Sequence, residues 1–118
     1  MHFSIPAVIM ALAVGSAVAN EQMQLNYYND GGCSDYSTQV DVTWATKFVS
    51  GKYNSPPSCY NYQYGNSVNV ANCHESHCWC DFYEGDDCTG YSQRSIYENG
   101  GSNCATASNR KSFQCWYT

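Results

Sequence analysis

The chain has 118 residues, with ten acidic side chains against five basic ones and a formal net charge of −5 near neutral pH. Arg110-Lys111 is the one adjacent pair of bases. That balance excludes nucleic-acid backbones and anionic membranes as partners on electrostatic grounds.

Residues 1–19, MHFSIPAVIMALAVGSAVA, hold an apolar run from Ile5 to Val14 and then the small-residue site Ala17-Val18-Ala19 before polar Asn20. This is the shape of a secretory signal peptide, and it is too short for a membrane span. No later stretch is apolar over about 18 residues, so no membrane anchor is expected. Removing 19 residues from 118 leaves a secreted, extracellular chain of 99 residues from Asn20. That length fits a single domain, residues 20–118, and a monomer is expected.

From Asn20 onward the chain alternates with period two rather than with a helical period. In residues 22–28, QMQLNYY, Met23, Leu25 and Tyr27 share one face. In residues 40–48, VDVTWATKF, Val40, Val42, Trp44 and Phe48 are expected together on one strand face. Residues 67–73 alternate again with Val68 and Val70 inward, and residues 77–83 place Cys78, Cys80 and Phe82 inward. The intervening segments have turn compositions: Gly31-Gly32, Ser50-Gly51, residues 54–58, Gly85-Asp86-Asp87 and residues 99–103. The fold class is therefore all-β.

All eight cysteines, Cys33, Cys59, Cys73, Cys78, Cys80, Cys88, Cys104 and Cys115, follow the leader. An even number in a short exported chain argues for four disulfides, and spacing alone does not choose among the pairings.

The chain also repeats itself. Residues 27–37, YYNDGGCSDYS, are echoed by residues 82–92, FYEGDDCTGYS, at an offset of 55. Further on, Cys59 to Ser67 has the same spacing as Cys104 to Ser112, now at an offset of 45. The first copy carries about ten more residues between these landmarks, which predicts a longer hairpin near residues 47–58. Two such units, residues 20–73 and 74–118, are each too small to bury their own faces and should pack together as a two-repeat β-sandwich.

The segment from Tyr83 through Cys88 to Gly90 resembles the Greek-key signature of the βγ-crystallins, in which an aromatic residue is followed by a turn and a glycine. Tyr28 through Cys33 to Asp35 keeps the spacing but has Asp where the family has Gly. Ser67 and Ser112 resemble the family's serine landmark near the fourth strand. The resemblance implies a small disulfide-rich β-sandwich of two Greek keys. In such folds the aromatic packs over a folded hairpin and the glycine adopts a backbone that a Cβ disfavours. The cysteine density and the Tyr-rich acidic composition also resemble small secreted cysteine-rich proteins of filamentous fungi. Equivalence of the two copies predicts the pairings Cys33–Cys59 and Cys88–Cys104, with the remaining bridges among Cys73, Cys78, Cys80 and Cys115.

The resemblance raises calcium, since many microbial members of the family bind it. Asp30 in the first turn and Glu84, Asp86 and Asp87 in the second offer oxygen ligands, but Cys33 stands where a ligating hydroxyl is required, and acids beside glycine also make ordinary turns. His74, His77, Cys78 and Cys80 are the densest group of soft ligands. In an exported chain these cysteines are expected in bridges, so no metal and no cofactor is expected. A comparison with guanyl-specific ribonucleases finds Glu84 and Arg94, but no histidine follows residue 77 to serve as the acid. There is no Gly-x-Ser-x-Gly elbow and no cysteine expected to be unpaired. Asp81, Glu84 and Glu75 are the carboxylates that a glycosidase could use, in a domain without an evident cleft. The chain is therefore expected not to be an enzyme.

Eleven tyrosines supply the remaining signal. Tyr60, Tyr62 and Tyr64, at two-residue spacing, are expected on one face of a strand, where exposed rings would form a binding platform. With His74 and His77 they make the candidate binding surface. The expected role is a fungal effector or virulence-type binding protein that engages a protein or cell-wall glycan outside the cell. Three rival readings are an antimicrobial or killer-toxin-like protein, a calcium-stabilised structural protein and a small acidic hydrolase.

Overall fold

The computed structural model describes residues 21–49, 52–53, 58–100 and 103–118. The expected leader, the turn at Ser50-Gly51 and most of the turn at residues 54–58 lie outside the described residues. Ten strands and no helix form among the described residues: β1 (Met23–Tyr28), β2 (Tyr36–Val42), β3 (Thr46–Val49), β4 (Lys52–Tyr53), β5 (Cys59–Asn61), β6 (Ser67–Cys73), β7 (Cys78–Tyr83), β8 (Ser92–Ile96), β9 (Ala105–Thr106) and β10 (Ser112–Tyr117). They make two sheets. The first has the order β2-β1-β6-β9 and the second β4-β3-β10-β7-β8, with β5 also paired to β10. One apolar cluster lies between them, contributed by Met23, Leu25 and Tyr27 of β1, Val68 and Val70 of β6, Cys80 and Phe82 of β7, and Phe113 and Cys115 of β10. These are the alternate positions of each strand, as period-two burial requires.

The repeat is legible in the strand order. β1, β2 and β6 correspond to β7, β8 and β10, but the short third strands change places. β5 joins β10 with Tyr60 opposite Phe113 and Asn61 opposite Ser112. β9 joins β6 with Ala105 opposite Val68 and Thr106 opposite Ser67. The flanking backbone bonds repeat too: Tyr62 donates to the Lys111 carbonyl at 2.9 Å and Ala107 to that of Asn66 at 3.0 Å. Each sheet is therefore completed by a strand of the other copy, and neither copy closes without its partner.

This exchange corrects the expected disulfides. The bridges are Cys33–Cys104, Cys59–Cys88, Cys73–Cys78 and Cys80–Cys115, not Cys33–Cys59 and Cys88–Cys104. Cys59 opens β5 and Cys104 directly precedes β9, so each travels with its third strand to the opposite sheet and meets the turn cysteine of the other copy. The symmetry of the expectation holds, but Cys33–Cys104 and Cys59–Cys88 each join the two copies. The remaining four cysteines, Cys73, Cys78, Cys80 and Cys115, pair among themselves as expected. Cys80–Cys115 is a cross-strand pair in the core, and Cys73–Cys78 ties the end of β6 to the start of β7.

The two turns are built alike. Ser67 Oγ accepts from the Cys33 N–H at 2.9 Å and donates to the Asp30 carbonyl at 2.6 Å. Ser112 Oγ accepts from the Cys88 N–H at 2.8 Å and donates to the Gly85 carbonyl at 2.6 Å. Tyr28 Oη donates to Asn69 at 3.1 Å, and Tyr83 Oη accepts from Gln114 at 2.6 Å. Gly90 has φ +84°, where a Cβ is disfavoured. Asp35 does not share that conformation. In its turn the left-handed residue is Cys33, at φ +57°, matched by Cys88 at +58°.

One expected strand is broken. Residues 40–48 do not form a continuous element: β2 ends at Val42 and β3 begins at Thr46 in the other sheet. β3 runs parallel to β10 with Thr46 opposite Trp116. Phe48 consequently leaves the face shared by Val40 and Val42 and packs against Trp79 on the outer side of the second sheet, at 5.7 Å between rings. The longer hairpin expected near residues 47–58 is present as β3–β4, with Phe48 opposite Tyr53.

Candidate functional site

The three spaced tyrosines occupy an open edge between the sheets. Only Tyr60 lies in a strand, because β5 ends at Asn61 and the expected single strand face does not extend to Tyr64. The rings nevertheless gather. Tyr60 stacks on Trp44 at 4.5 Å, Tyr62 meets Tyr27 edge-on at 5.2 Å, and Tyr62 stacks on Tyr64 at 6.5 Å. Tyr64 Oη shares a hydrogen bond of 2.7 Å with Ser37 Oγ of β2. Tyr60 is 46% exposed and Tyr64 41%, whereas Tyr62 is half-buried against the core. The expected exposure is thus divided, with two rings offered to solvent and the middle one acting as their support. Burial raises the Tyr62 pKa, with the neighbouring Tyr64 adding to the effect. Trp44 completes the group. The residues carried no signal for this, because Trp44 read as one more inward position of a strand that in fact ends two residues earlier.

The repeat supplies an internal control for these rings. At an offset of 45, Tyr60 and Tyr62 correspond to Ala105 and Ala107, in the same register against β6 as the tyrosines have against β10. Both alanines are 2% exposed and close the opposite edge compactly. At that edge a methyl group is enough at these positions. At the Tyr60 edge the same positions carry rings, Tyr62 packed against the core and Tyr60 nearly half exposed.

The histidines lie elsewhere. His77 Nδ1 is 2.8 Å from Thr118 Oγ1, at the end of β10, whereas Tyr60 pairs with Phe113 near its start. Five residues of strand separate the two places, roughly 17 Å. His74 Nε2 is 3.4 Å from Glu21 Oε2. The structure does not bring the histidines and tyrosines into one surface.

The acidic turns are occupied by their own architecture. Asp30 accepts from the backbone N–H of Asp35 at 2.9 Å, of Ser34 at 3.0 Å and of Gly32 at 3.2 Å. These bonds, that of Asp35 foremost, hold its carboxyl below the usual carboxylate range. Asp87 accepts from Asn61 at 3.0 Å, and the Asp86 carbonyl accepts from Thr89. Glu84 pairs with Arg110 at 3.2 Å, and Asp81 receives two bonds from Arg94 at 2.7 and 3.0 Å. Among the described residues no three His, Cys, Asp or Glu side chains are grouped to hold a metal.

A second surface went unremarked in the sequence. The outward positions of β1 are Gln24 and Asn26, which lie opposite Asp41 and Gln39 of β2 and opposite Asn72 and Asn69 of β6. Five of these six side chains are amides. The alternation that marks Met23 and Leu25 as core leaves these positions facing out, so the signal was present in the residues between the inward ones. Among the described residues no helix is long and apolar enough to cross a membrane. No protein-family model, curated protein or solved structure matches this chain.

Proposed function

We propose that the protein is an extracellular, disulfide-stapled binding protein of the fungal effector type, which engages a host or competitor target through the Trp44–Tyr60–Tyr62–Tyr64 edge and acts by binding rather than catalysis. The observation that carries this reading is the contrast between the two edges: alanines suffice at one, and half-exposed tyrosines stand at the equivalent positions of the other. Rings held in place by their neighbours lose little side-chain freedom on binding, which favours them as anchors. The exchange of third strands between two equivalent units supports a βγ-crystallin-like pair of Greek keys as the scaffold. Four bridges in so small a domain are compatible with an oxidising extracellular setting.

The test is capture from host and fungal extracts by the oxidised protein and by its Tyr60→Ala variant. The substitution removes the contacts of Tyr60 with Trp44 and Phe113 and is expected to lower stability by about 1–3 kcal/mol, leaving the disulfide-stapled fold intact. A target retained by the wild type and lost by the variant, with both fully folded at the temperature of the assay, supports the edge. Equal retention by both removes it. Inhibition of fungal growth with no host present would replace the host-directed reading with a toxin.

A further inference from the structure

We infer that the target of the aromatic edge is a neutral polysaccharide, and that the outer face of the first sheet extends the site as a second row of contacts. The inference rests on the edge being the binding surface, and it adds the chemistry of what binds there.

The first support is charge. The segment from Ser58 to Asn66, which carries all three rings, has no charged residue in a chain where acids outnumber bases two to one. The outer face of β1, β2 and β6 holds Gln24, Asn26, Gln39, Asn69 and Asn72, with Asp41 at its margin. The outer face offers no cation to an anionic ligand and its Asp41 repels one, while the edge is flanked by one charge of each sign, Lys111 beside Tyr62 and Asp87 on Asn61, so neither surface selects a charged ligand. Each amide presents both a donor and an acceptor, which matches hydroxyl groups that do the same.

The second support is order. Gln24 donates to Asn26 at 2.8 Å, Gln39 donates to Asp41 at 2.9 Å, and Asn69 donates to Asn103 at 3.0 Å. Tyr36 Oη donates to Gln39 at 3.3 Å, and Tyr36 lies edge-on to Tyr28 at 6.3 Å. Four of the five amides, Gln24, Asn26, Gln39 and Asn69, thus have a hydrogen-bonded side-chain neighbour before any ligand arrives. The face and the aromatic edge meet at β2, where Ser37 binds Tyr64 and Gln39 belongs to the amide rows. A pyranose ring has apolar C–H faces and a rim of hydroxyls, so it suits an aromatic platform bordered by amides.

The third support is magnitude. A neutral hydrogen bond exchanged with water contributes about 1 kcal/mol net. A few such bonds do not hold a single sugar, but repetition along a chain does. The ligand is therefore a polymer rather than a free saccharide.

The experiment is retention of the oxidised protein on insoluble chitin, β-1,3-glucan and cellulose, with a polygalacturonate gel as the anionic comparison. Wild type, Tyr60→Ala and Gln39→Glu are measured at low and high salt. The expected result is retention on at least one neutral polymer that salt does not weaken. Tyr60→Ala should lower the apparent affinity at least tenfold and Gln39→Glu several-fold, with every variant fully folded at the assay temperature by circular dichroism. Retention on polygalacturonate alone, or on no neutral polymer, overturns the inference. If the edge still captures a soluble protein in that case, the binding role survives and only its chemistry is wrong. Retention that survives Tyr60→Ala overturns both.

Discussion

Ser67 and Ser112 each hold a turn closed with one hydroxyl, accepting from a cysteine N–H and donating to a carbonyl three residues earlier in the turn. Both side chains are buried, so truncation would leave a donor and an acceptor unpaired at a site water does not easily reach. Ser67→Ala is expected to cost about 2 kcal/mol, and Ser112→Ala about the same. The two sites share no partner, so the double variant should show the sum in denaturant unfolding. A double variant no less stable than either single one would mean that the turns are held by their disulfides alone. Asp30 closes the same first turn from the other side. Its carboxyl is held below the usual range by backbone donors, chiefly Asp35. A group with a depressed folded pKa contributes stability above its unfolded pKa and loses that contribution as pH falls through the folded value. Acid unfolding followed by circular dichroism should therefore show a shallower dependence in Asp30→Asn than in the wild type, over the range below the ordinary carboxylate pKa. An unchanged acid limb would show that these bonds do not set it.

The strand is the scale at which the sequence was most and least informative. β1, β6 and β7 were legible to within a residue, because each has one face in the apolar core and alternates it with polar or bulkier outward residues, even though Asp81 of β7 is itself buried. β5 and β9, with three and two residues, are too short to carry a period. A repeat shows which residues are equivalent, but it does not say whether equivalents touch within a copy or across the pair. The exchange of third strands, and with it the disulfide pairing, was therefore hidden, as was the Trp44–Tyr60 stack that the exchange creates. Peptide mapping of the oxidised protein should recover Cys33–Cys104 and Cys59–Cys88. Recovery of Cys33–Cys59 would refute the exchange. The entry into β6 gives an independent check. Gly65 has φ +68°, and a Cβ there would lie 2.6 Å from the Tyr28 carbonyl oxygen, whereas Gly100, at φ +80°, faces open space. Gly100→Ala should cost only the backbone penalty, about 1 kcal/mol. Gly65→Ala must also displace backbone that β1 and β6 fix, and a loss at least twice as large is expected in the same unfolding measurement.

At the scale of the whole molecule, the two sheets meet on a core containing a tyrosine that has little water around it. Tyr27 is 2% exposed, and its ring lies 5.2 Å from Tyr62 and 6.3 Å from Tyr64. Burial first, and then the charge Tyr62 would carry, push the Tyr27 pKa far above its ordinary 10.0. Tyr62 moves in the same direction, mainly through burial. For a raised pKa the folded state holds the proton more tightly than the unfolded chain. The contribution to stability is therefore complete below the ordinary tyrosine range and declines as pH rises from there toward the folded value. The molecule should unfold in alkali as one cooperative unit, because the buried hydroxyl belongs to the core shared by both sheets. Tyrosinate absorbance and near-ultraviolet circular dichroism, followed together against pH, should show the last ionisation coinciding with loss of tertiary signal. Tyr27→Phe removes the group that most favours the protonated fold and relieves Tyr62 of its charged neighbour. Its alkaline midpoint should lie above that of the wild type, even if its stability at neutral pH is somewhat lower. An identical alkaline limb in Tyr27→Phe would place the sensitivity outside the core, in the rings of the Tyr60 edge or in the bridges that join the two copies.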